Sequence, residues 1–98
     1  MSSRSTIEKK LAQTVADLHR ARDEIRVLDE QIAYCADNAD DARLRSLVSE
    51  TPLAERDHRQ AARTVTALQR DRATWQERIT KLEGMQDTLL DQLLEEST

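Results

Sequence analysis

Three aspartates, Asp37, Asp40 and Asp41, fall within one short stretch, and such a density of carboxylates is a form in which proteins hold divalent cations. The other residues with ligating or nucleophilic chemistry are Cys35, His19 and His58. Their spacing matches no zinc motif, and a lone cysteine cannot close an internal disulfide. Asp37 or Asn38 followed by further acids is also how a helix N-terminus is capped and its dipole complemented. Arg56, Arg59, Arg63, Arg70 and Arg72 make a basic stretch, but no aromatic residues interleave with it, and Glu55, Asp57 and Asp71 dilute it. With 15 Lys and Arg against 19 Asp and Glu the net charge is -4, so a phosphate backbone is not the expected partner. The expectation is therefore no catalytic, metal or cofactor site, and no enzyme.

Any of these groups could act together only if the elements of the chain brought them together. The chain has 98 residues, 38% hydrophobic and 35% charged, with a single Gly and a single Pro, so neither the turns of a sheet nor a glycine-rich phosphate loop can be built. No Phe, one Trp and one Tyr leave too little bulk for a thick globular core. Long helix with a narrow apolar seam is what remains. An excess of Arg over Lys and abundant Ala suit a bacterial, GC-rich coding sequence. The residues after Met1 form no apolar signal region and no run of 18 apolar residues follows, so a cytoplasmic protein without a membrane span is expected.

The apolar spacing supports that reading directly. In the first half Leu11, Leu18, Ile25 and Ile32 alternate with Ile7, Thr14, Ala21, Leu28 and Cys35 in a heptad. In the second, Ala54, Ala61, Leu68, Trp75, Leu82 and Leu89 alternate with His58, Val65, Arg72, Ile79, Gln86 and Leu93. Ser5 or Thr6 would cap the first helix, and Thr51 with Pro52 would open the second. The expected fold is all-α, an antiparallel two-helix coiled-coil hairpin. Residues 1–5 would be a disordered N-terminus and 6–98 one hairpin domain, with arms at about 6–48 and 52–96 and a turn at about 49–51. Each arm of about 45 residues would span roughly 67 Å.

Facing residues in such a hairpin have numbers with a constant sum, and 100 suits this chain. It sets Leu11 against Leu89, Leu18 against Leu82, Ile25 against Trp75 and Ile32 against Leu68, and it lets polar Thr14 meet polar Gln86. It also brings Glu24 to Arg78, Arg45 to Asp57 and Arg43 to Glu55, whereas a sum of 93 would set Glu8 on Glu83. Arg72 within the seam would snorkel outward and help hold the register. Cys35 then faces Val65, about two turns from the level of His58, so the potential metal ligands do not converge. Cys35 reads as a small seam residue, and His58 as a partly exposed polar one instead of a pH sensor. The turn-favouring run Asp37–Asp41, with Leu44, Leu47 and Val48 off the seam, leaves room for a different ending in which a short third helix at 39–49 folds back.

A hairpin with acids towards its tip resembles, in architecture, the Gre-type transcript cleavage factors and their relatives, which reach a polymerase-bound magnesium ion. No residue motif of that family is present, and the aspartates fall about ten residues below the turn, about 15 Å. The resemblance implies a regulatory factor inserting its tip into an enzyme such as RNA polymerase, and this is the alternative function. The main expectation rests on apolar residues that the seam does not use. Val27, Tyr34 and Val48 share one outer column, with Leu44 and Leu47 beside it, while Val15, Met85, Leu90 and Leu94 widen the seam at the other end. A lone two-helix hairpin would leave the outer column wet, so a protein–protein interaction or scaffolding module is expected. It would form a homodimer, assembled as a four-helix bundle, or dock on a larger complex through a protein partner that the sequence does not identify.

Overall fold

The computed structural model describes residues 3–97. Met1 and Ser2, expected within a disordered N-terminus, and Thr98 lie outside the described residues. Two long helices, α1 (Arg4–Ser49) and α2 (Pro52–Glu96), pack as a hairpin, and no strand occurs among the described residues. Helix α1 begins earlier than the spacing suggested. Ser3, not Ser5 or Thr6, is its cap, its Oγ accepting the Thr6 amide at 3.2 Å, so Arg4 and Ser5 are already helical. At the other end Ser49 is still helical, and the link is Glu50 and Thr51 alone.

That link is built from two local devices. Glu50 turns the chain with φ at 49°, in the left-handed region, while its amide donates to the Ser46 carbonyl at 3.1 Å, which closes α1 as an αL cap. Thr51 then caps α2 through its Oγ1, which accepts the Ala54 amide at 3.2 Å, with Pro52 as the first helical residue.

The short third helix considered for 39–49 does not form. Helix α1 runs unbroken through Asp37–Asp41. Ala39, Ala42 and Ser46 carry the row of Ile32 and Cys35 onward at heptad spacing; Ala42 is buried, and Ala39 and Ser46 are half-buried. These small residues continue the seam through the run, and their burial outweighs the preference of Asp and Asn for caps.

The hairpin divides into two compact units. The terminal unit joins the described residues up to Glu24 with those from Trp75 on, and the turn unit is Ile25–Thr74. In the terminal unit Ile7, Leu18 and Ala21 of α1 and Ile79, Leu82 and Leu89 of α2 are buried. Thr14 is buried among them, and its hydroxyl donates to the Lys10 carbonyl at 2.8 Å instead of reaching Gln86. Burial of this one polar group is thus satisfied inside its own helix. Arg22 pairs with Glu83 across the helices at 3.5 Å, and the Glu24–Arg78 pair suggested by the register is not formed. Arg78 instead lies over the Trp75 ring, 5.5 Å from its centre.

The core of the turn unit is thinner. Among the described residues its buried apolar side chains are Leu28 and Ala42 alone. Ile25, Ile32, Cys35, Val65 and Leu68 are half-buried along the same seam. Arg72 leaves the seam to bind Asp29 in a bidentate pair, with Nε to Oδ1 and Nη2 to Oδ2, the latter at 3.4 Å. The expected pairs Arg45–Asp57 and Arg43–Glu55 are not formed.

Candidate interaction surface

Heptad geometry sends two rows of each helix into the seam and turns the others outward, so the outer side chains of the turn unit are set by register. On α1 Val27, Tyr34 and Val48 repeat at seven residues or a multiple of it and share one column, with Leu44 and Leu47 alongside. All five are exposed, Tyr34 at 70% and Val48 at 84%. A sixth, Leu53, is 67% exposed at the start of α2 and was missed by the sequence reading. Its signal was available, since Leu53 directly precedes the seam residue Ala54 and must point away from it.

Two shallow grooves mark this unit. One, of about 420 Å³, runs beside Tyr34 between the helices, with Cys35, Thr64 and Leu68 in its wall. The other, of about 290 Å³, lies on α2, floored by Ala62, Thr66 and Ala67 and flanked by Arg63 and Arg70. The seam contacts also show which residues stand level. Asp29 reaches Arg72, and Cys35 and Asn38 line a small space with Ala61 and Thr64, so residues whose numbers add to about 100 share a level. Electrostatically, the Arg72 guanidinium holds the Asp29 carboxyl below the usual carboxylate range, and Asp29 in turn raises Arg72. No ion pair or hydrogen bond engages the side chains of Glu30, Asp37, Asp40 and Asp41 on α1, or of Arg56, Arg59, Arg63 and Arg70 on α2, among the described residues.

The terminal unit has an open groove of about 810 Å³ between Thr14 and Asp17 of α1 and Gly84, Met85 and Leu89 of α2. Met85, Leu90 and Leu94 are exposed, and Val15 is half-buried. Of the remaining seam positions Leu11, Trp75 and Leu93 are half-buried.

The residues with potential chemistry are not gathered. Asp37, Asp40 and Asp41 are exposed along α1 and lie outside the Glu50–Thr51 turn. His19 is exposed, and Cys35 is a half-buried free thiol. His58 is half-buried in the seam, and among the described residues its buried Nδ1 has no hydrogen-bond partner. Among the described residues no three His, Cys, Asp or Glu side chains stand close enough to hold a metal ion. Nor, among them, is any helix long and apolar enough to cross a membrane. Compared with protein families, curated proteins and solved structures, the chain finds no match in any of the three.

Proposed function

We propose that this protein is a non-enzymatic coiled-coil interaction module, which works by packing the outer face of its turn unit against another helical surface. One observation carries the reading. The turn unit buries only Leu28 and Ala42 among its described apolar side chains, while Val27, Tyr34, Leu44, Leu47, Val48 and Leu53 stand exposed. Apolar area removed from water contributes about 25 cal/mol per Å², and a unit with so little buried gains most by covering this face. Two hairpins joined through it would make a four-helix bundle, the usual way for helix pairs to complete a core. Docking on a larger assembly would use the same face.

The test is photocrosslinking inside the native host, with benzoylphenylalanine in place of Tyr34 and, as control, in place of exposed Gln69. The expected result is a discrete adduct from position 34 that is lost with Leu47→Glu, and none from position 69. Absence of any adduct at 34, or equal adducts at both positions, would overturn the reading.

A further inference from the structure

Resting on that reading, we infer that the occupant of the face is a second copy of this chain, aligned with its turn at the same end and related by a two-fold axis parallel to the helices. The inference follows from a match between two motifs of the turn unit that cannot meet within one chain. On α1, Tyr34 projects with Glu30 one turn before it and Asp37 one turn after it, at i, i+4 and i+7 on a single outer face. On α2, the groove over Ala67 is flanked by Arg63 and Arg70 at the same three spacings. An exposed aromatic knob between two acids therefore has, in the same molecule, a small-residue hollow between two bases. The heptad turns both motifs away from the seam, and all four charges are exposed and unpaired.

Level decides the orientation. Within the turn unit, residues with numbers adding to about 100 stand level, as Asp29 and Arg72 do. When the turns of two copies lie together, α1 of one runs antiparallel to α2 of the other at unchanged levels. Glu30 then meets Arg70, Asp37 meets Arg63, and Tyr34 falls on Ala67 between them. The two-fold axis repeats the set, and the contact closes on itself instead of propagating. The rest of the column follows the same levels: Val48 meets Leu53, Val27 meets Thr74, and Asp41 meets Gln60. If the copies instead faced each other with turns opposed, α1 would lie on α1 and α2 on α2. Acids would then stand on acids and arginines on arginines, which charge repulsion disfavours.

The experiment is light scattering, with circular dichroism, on the full chain and two double variants, Glu30→Arg with Asp37→Arg and Arg63→Glu with Arg70→Glu. The wild type is expected at twice the 11.2 kDa chain mass. Each variant alone should bind itself at least about tenfold more weakly, because every cross-copy pair becomes repulsive. Mixed, the two should restore the dimer, since both sets of pairs are then attractive. Helical variants that dimerise as the wild type does, or a mixture that stays monomeric, would overturn the inference. Should a reversal unfold the chain, Glu30→Gln with Asp37→Asn serves instead; it should weaken the dimer and remove most of its salt dependence, and an unchanged salt dependence would overturn the inference. A wild type that is monomeric at about 100 μM would overturn it too, while an adduct from position 34 to a different protein would leave the interaction reading standing.

Discussion

At the residue scale, the side chains that matter most are those the helical register forces into an uncomfortable place. Arg72 occupies a seam position, and its long side chain leaves the seam to reach Asp29 on the opposite helix, where both groups stay partly in water. The hydrogen bond that Arg72 donates, assisted by its charge, holds the Asp29 carboxyl below the usual range, and the stability consequence has a definite sign. A carboxyl whose value is lower in the folded chain than in the unfolded one adds stability above the unfolded value, about 4, and loses it as pH falls through the folded value. Asp29→Asn should therefore lower stability to urea at pH 7 and lower it by less near pH 2. Urea melts of both proteins at the two pH values check this, and an equal deficit at both would mean that the pair acts through packing. His58 is the contrasting case, a seam residue whose Nδ1 finds no partner among the described residues.

At the scale of the element, α1 and α2 are each 45 residues or longer, and their interiors contain little that breaks a helix. The hydroxyls of Thr64, Thr66, Thr74, Thr80 and Thr88 return to carbonyls one turn back, so these poorer helix formers leave no unpaired polar group. Gly84 is the exception, a residue of high backbone entropy in mid-helix. A Cβ at this position would meet nothing within 4 Å. Gly84→Ala should thus stabilise the chain by about 1 kcal/mol, measured as a shift of the urea midpoint at constant slope. A loss of stability on this substitution would overturn the expectation that the open space beside Gly84 admits a methyl group at no cost.

At the scale of the whole molecule, the two units differ in how they are held. Among the described residues the terminal unit has six buried apolar side chains spread over both helices, and the turn unit has two. The proposed covering of the turn unit by a second copy would tie its stability to protein concentration, because only the folded chain presents the matched faces. The thermal midpoint should therefore rise as the chain is concentrated from about 1 to about 100 μM, and hydrogen exchange should slow most within residues 25–74. A midpoint independent of concentration would place the stabilising contacts inside the single hairpin.

Much of this architecture was legible before any coordinates. The seven-residue rhythm from Ile7 to Cys35 and from Ala54 to Leu93 requires two amphipathic helices, and Thr51–Pro52 can only begin the second, because periodicity and capping are local properties. The outward column of Val27, Tyr34 and Val48 follows from the same rhythm. Three features were decided by tertiary packing. Asp37–Asp41 stays helical while Ala39, Ala42 and Ser46 continue the seam, a burial that no local propensity records. The cross-helix charge pairs formed at Arg22–Glu83 and Asp29–Arg72, since long side chains select partners by reach and angle as well as by level. The acidic flanks of Tyr34 and the arginine-bordered groove over Ala67 sit far apart in the chain, and only the folded hairpin brings them to one level while keeping them from touching each other.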